Sequence, residues 1–80
     1  MKSIHDPRYA EIITHLKRIR KQRKITQQEL VEKLGRPMSY LTKVETLERR
    51  LDLVELYDLL AAMGVGIDEF LEEIGWIKRK

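Results

Sequence analysis

The sequence predicts an all-α fold, a compact five-helix bundle. Two observations carry the prediction. Apolar residues recur at spacings of three and four, the period of an amphipathic helix, and no alternating run is long enough for a convincing strand. The apolar segments are also punctuated by helix start and stop signals, acceptor side chains before them and Gly35, Gly64 or Gly75 after them. The 80 residues make one domain, 1–80, with no repeat, linker or low-complexity stretch. A chain this short buries only about 60% of its extended surface, so its stability is marginal unless it packs ideally or pairs with itself.

The first helix is expected over 7–23. Asp6 is its N-cap and Pro7 suits the first turn, where a missing N–H loses no intrahelical bond. Tyr9, Ile12, Ile13, Leu16 and Ile19 form its buried stripe, and the helix frays near Arg23 or Lys24. The second helix, 27–34, opens on the capping box Thr26-Gln27-Gln28-Glu29 and ends at Gly35, where a positive φ is expected. Leu30, Val31 and Leu34 face inward. The third helix, 37–46, places Pro37 in its first turn and buries Leu41 and Val44. The fourth, 53–63, starts from the Asp52/Glu55 capping box, with Leu53, Leu56, Leu59, Leu60 and Met63 as its stripe. The fifth is short, 67–74. A short, mixed tail from Trp76 to Lys80 follows.

Gln27–Val44 is the stretch the others serve. Two helices meeting across a tight turn at Gly35 make a helix-turn-helix, whose second helix fits a DNA major groove. Its polar side, Met38, Ser39, Thr42 and Lys43, is left facing out along with Gln27.

Charge supports an anionic partner through its distribution more than its total. The net charge is +3, and Lys17, Arg18, Arg20, Lys21, Arg23 and Lys24 crowd one segment. Between Leu53 and Gly75 there is no Lys or Arg, only Glu55, Asp58, Asp68, Glu69, Glu72 and Glu73. One half is suited to meet anions and the other to avoid them. The basic segment cannot reach phosphate as a whole, because helical spacing spreads it around the cylinder; one or two of its side chains are expected to. Its apolar stripe is needed for the core, which argues against a membrane-surface role.

Other chemistry finds little support. Without cysteine there is no disulfide or thiolate metal site. His5 and His15 share no ligand spacing, so no metal and no cofactor are expected. No serine stands beside a histidine and no glycine-rich phosphate loop occurs, so an enzyme is not expected. No apolar run approaches the roughly 20 residues that span a bilayer, and MKSIHDPRY lacks the apolar core of a signal peptide, so a soluble, cytoplasmic protein is expected.

The ordered set Thr26-Gln27-Gln28-Glu29-Leu30, Leu34-Gly35, Ser39-Tyr40-Leu41-Thr42-Lys43-Val44-Glu45, Arg49-Arg50, Leu53 and Asp68-Glu69-Phe70-Leu71 resembles the lambda-repressor-like helix-turn-helix family of the XRE type. The resemblance covers about Leu16 to Leu71. It implies sequence-specific binding to duplex DNA by a small transcriptional regulator, most often a homodimer on a pseudo-palindromic operator. The family's base-reading positions fall on Met38, Ser39, Thr42 and Lys43. Its helix-two phosphate contact falls on Gln27 and its structural ion pair on Arg20 and Glu45; Arg20, Arg36, Tyr40, Thr46, Arg49 and Arg50 are further expected phosphate contacts. Phe70, Trp76 and Ile77 are candidate dimer contacts, or caps on the bundle core. Taken alone, Lys43 is either a groove reader or a solvated helix lysine, while Ser39 and Thr42 touch phosphate or only water. With no separate effector domain, repression by occlusion is expected. A DNA-binding antitoxin whose main partner is a toxin protein is the alternative.

Four departures from the family pattern stand out, one of them Arg36 at a turn position that is usually apolar. Met38 replaces the usual polar reader, and a thioether can pack on a thymine methyl but cannot bond adenine in a bidentate way. Val31 replaces a small residue, which would spread the second and third helices slightly. Leu47 stands where many members have Gly. Leu is strained in a left-handed conformation, so the third helix is expected to run on or to end differently.

Overall fold

The computed structural model describes residues 5–78; the ends of the N-terminal segment and of the basic tail, including Arg79 and Lys80, lie outside the described residues. Five α-helices occur in the order α1 (Pro7–Gln22), α2 (Gln27–Leu34), α3 (Met38–Glu45), α4 (Leu53–Ala62) and α5 (Ile67–Glu73). No strand occurs among the described residues, and the fold is all-α, as the periodicity indicates.

Each start signal works through its side chain. Asp6 accepts the Arg8 N–H, while Thr26 with Glu29 and Asp52 with Glu55 form reciprocal capping boxes. Pro37 is a correction: it is the N-cap of α3, in extended geometry, and the helix begins one residue later than expected. It offers no side-chain acceptor, so α3 opens without a side-chain cap.

The stop signals share one geometry. Each helix closes with an N–H reaching back five residues, such as Arg36 to the Val31 carbonyl at 2.9 Å and Glu48 to Lys43 at 2.8 Å. This Schellman closure needs a left-handed residue just before the donor. Gly35 fills that place after α2, with φ +67. Lys24 and Leu47 fill it after α1 and α3, with φ +58 and +64. The expectation that Leu47 would alter the end of α3 is therefore overturned. Leu47 takes the turn that Gly would take, and its side chain lies against the hydrophobic core. Leu47 is partly buried; a fraction of the about 1.5–3 kcal/mol that full burial of a leucine contributes counts against a left-handed cost of roughly 1–2 kcal/mol.

The core joins Ile13, Leu16 and Ile19 of α1 to Leu30 and Val31 of α2, Leu41 and Val44 of α3, Leu59 and Leu60 of α4, and Phe70 of α5. α3 packs on α1 and α2, and α4 backs α2. Leu53 is a second correction: it is 71% exposed, so the buried stripe of α4 starts at Leu56. Leu53 instead lines an open groove with Tyr9, Ile12, Leu51 and Leu56. Polar ties complete the frame. The Tyr9 hydroxyl accepts the Leu51 N–H at 2.9 Å, and Arg23 and Lys33 donate to the Met63 and Ala62 carbonyls at 3.0 and 3.2 Å. α4 has no basic residue in its last turn; those two cations, from other elements, supply the positive charge that its C-terminus favours.

Candidate nucleic-acid interface

α3 is held from behind and open in front. Tyr40, Leu41 and Val44 are buried, whereas Met38, Ser39, Thr42 and Lys43 are all exposed. The four side chains at the family's base-reading positions thus share the solvent side of one short helix. Met38 is 39% exposed, an unusual place for an unbranched apolar side chain that has no core gap to fill.

A polar chain fixes the angle of this helix. Arg20 is buried and donates from Nε and Nη2 to the two Glu45 carboxylate oxygens, at 2.7 and 3.0 Å, and from Nη1 to the Ile25 carbonyl at 2.9 Å. The Gln27 amide donates to Glu45 at 2.8 Å, and its carbonyl faces the Thr42 hydroxyl at 3.5 Å. Charge pairing between α1 and α3 therefore connects, through Gln27 at the start of α2, to the exposed Thr42. The pair buys little net stability after desolvation, but removing one partner would strand a buried charge. Arg20 is also a correction among the expected phosphate contacts. Its donors are satisfied inside the protein and it has almost no surface, so it belongs to the ion pair alone.

The remaining expected phosphate positions differ in their surroundings. Arg36 and Arg49 place their guanidinium carbons 4.4 and 4.8 Å from the Tyr40 ring centroid. Both also meet Glu55, at 3.5 and 3.1 Å. Tyr40 is only 7% exposed and serves as the platform for this stack. Burial, with the Glu55 charge, raises its phenol above the ordinary value, and the two arginines oppose this only in part. Arg36, Pro37, Ser39, Tyr40, Lys43 and Arg49 line an open cleft of about 250 Å³ beside α3. The Thr46 hydroxyl is within reach of the Thr42 carbonyl at 2.9 Å and of Glu48 at 2.7 Å. Arg50 is exposed on the loop before α4.

The family model described as Helix-turn-helix matches residues 16–70, more than half of the chain. The chain belongs to the XRE-type, lambda-repressor-like helix-turn-helix family. It is a DNA-binding helix-turn-helix domain, and α2 and α3 are the two helices of the motif. No curated protein and no solved structure matches.

Phe70 is a correction among the expected dimer contacts: it is wholly buried between α4 and the rest of the core. Trp76 and Ile77 are exposed, at 48% and 42%. Sequence reasoning missed a second apolar group on the helix-turn-helix domain. Leu53, Val54 and Tyr57 of α4 are 71%, 66% and 55% exposed. Their spacing of one and four places them on one helix side, a signal present in the sequence, where the stripe expected for α4 takes in Leu53 but not Val54 or Tyr57. Glu55 was likewise assigned only to capping, and its contacts with two arginines could not be read from spacing. Among the described residues no group of three or more His, Asp or Glu is arranged to hold a metal ion. No described helix is long and apolar enough to cross a membrane.

Proposed function

We propose that the protein is a small transcriptional regulator that binds a specific duplex sequence as a homodimer, with α3 in the major groove. The observation that carries this is the exposed row Met38, Ser39, Thr42 and Lys43 on a helix braced by Tyr40, Leu41 and Val44, with a cationic cleft at its side. Lys43 donates to guanine edges, Ser39 and Thr42 hydrogen-bond to bases, and Met38 packs on a thymine methyl. Gln27, Arg36, Thr46, Arg49 and Arg50 hold phosphates, which supply affinity and register but do not read sequence directly. No catalytic role is assigned to any residue.

Two-fold pairing follows from size and from surface. α3 is 8 residues long and reads only one half-site, so a specific operator needs a second copy. The apolar side chains on α4 and Trp76 and Ile77 supply a surface for that pairing. The same side chains would also suit a toxin partner, the antitoxin reading; co-purification of an untagged second protein in place of a dimer favours it.

Selection of bound duplexes from a random pool tests the proposal. A palindromic consensus with half-sites about 10 base pairs apart supports it. Affinity for that consensus should fall with salt at a log–log slope of about −0.9 per neutralised phosphate. A pool that yields no consensus overturns the proposal.

A further inference from the structure

We propose that Glu55 is a positioning residue for DNA recognition. From α4 it holds the Arg36 and Arg49 guanidiniums on the Tyr40 ring, so that they form a preset seat for one backbone phosphate beside α3. The inference rests on the reading of α3 as the DNA-facing helix.

Four observations point to Glu55. Its side chain is only 14% exposed, and it lies on α4, not on either helix of the motif. One carboxylate oxygen is shared between Arg49 Nη1 at 3.1 Å and Arg36 Nη2 at 3.5 Å. The other oxygen accepts the Asp52 N–H at 3.1 Å, so the carboxylate is pinned at both ends. The two guanidiniums that it joins sit close to one buried aromatic ring and line the cleft that Lys43 also lines.

Two cations on one ring repel each other, and the shared carboxylate offsets that repulsion. A guanidinium carries five N–H donors, so a single carboxylate contact leaves others able to meet an anion. The arginines and Lys43 outweigh the one carboxylate, and the cleft stays net positive. Long side chains ordered before binding lose less entropy on association. Phosphate contacts set the register of a groove-reading helix, so a fixed seat beside α3 acts on sequence discrimination through Arg36 and Arg49. Lys43, exposed on α3, is left to reach the bases.

Glu55→Gln separates this role from capping. Glutamine serves as well as glutamate at the third position of a capping box, so the variant keeps the α4 cap and loses the charge. The probes are the duplex selected from a random pool and a scrambled duplex of equal length and composition. In Glu55→Gln the ratio of the two affinities should fall about tenfold, the scale of one charge-assisted contact. Affinity for the scrambled duplex should hold or rise. Asp58→Asn, which removes a charge one turn along α4, should leave the ratio unchanged. Adding Glu55→Gln to Arg36→Ala/Arg49→Ala should change nothing further. An unchanged ratio in Glu55→Gln, or an equal fall in the arginine-deleted background, overturns the role. A wild-type chain without preference for any duplex instead overturns the reading of α3, and this inference with it. Side-chain relaxation in the DNA-free wild type gives a measurement independent of any variant's folding. The Arg36 and Arg49 Nε–H groups should be rigid, and mobility equal to that of Arg18 contradicts the proposal.

Discussion

At the scale of single residues, the chain carries strain that its neighbours make tolerable. Lys24 is the simplest case: it is exposed, left-handed, and held only by the closing turn of α1. Lys24→Gly should stabilise the domain by about 1 kcal/mol. For a domain of this size that is a rise of roughly 4–8 °C in Tm. Leu47→Gly should gain nothing comparable, because it exchanges the same relief for lost packing; thermal melts of both variants make the comparison. Glu45→Ala should cost about 3–5 kcal/mol, because it leaves Arg20 buried and unpaired, and urea unfolding measures it. Asp6 responds to acid. Hydrogen bonds from the Arg8 side chain and then its N–H lower the carboxyl from its ordinary 3.8 to about 2. A lowered folded value means the contribution is present above pH 3.8 and lost as pH falls towards 2. Amide exchange at Tyr9 and Ala10 should therefore quicken over that window, while the Leu30 amide should not respond.

At the scale of elements, what could be read from sequence is whatever depends on neighbours along the chain. The two capping boxes and the three stop glycines placed α2, α4 and α5 to within a residue. Pro37 was misplaced by one position because a proline before a helix and one inside its first turn look alike in sequence. The left-handed turn at Leu47 was not readable, since it depends on burial that only the folded core supplies. That turn in turn brings the Arg49 N–H back to the Lys43 carbonyl at 3.1 Å. The Arg49 side chain is thereby set against Tyr40, so this contact was hidden as well. The exposed face of α3 was legible, because helical period alone separates Leu41 and Val44 from Ser39, Thr42 and Lys43. Its roles divide by test. Lys43→Ala should relax base choice, with a loss on the order of 1–3 kcal/mol on the preferred duplex and little on others. Arg50→Ala should weaken all duplexes alike. Equal losses on every sequence from both variants would contradict the division into reader and anchor.

At the scale of the molecule, the described residues carry two kinds of surface. The cationic cleft lies beside α3, and the stretch from Leu53 to Gly75, bare of Lys and Arg, carries the exposed apolar side chains of α4. Tyr57→Ala and Trp76→Ala should each weaken self-association in sedimentation equilibrium, by about 2 kcal/mol if the aromatic ring is an anchor of the interface. Neither should change the salt slope of DNA binding per protomer. The central claim is that the polar side of α3 enters the groove. An NMR titration of the labelled chain with its selected duplex tests this most directly. The largest amide shifts should fall on Met38–Lys43 and Gln27, with the α4 apolar residues following only protein concentration. Shifts concentrated on the Lys17–Lys24 segment, with α3 unmoved, would contradict it.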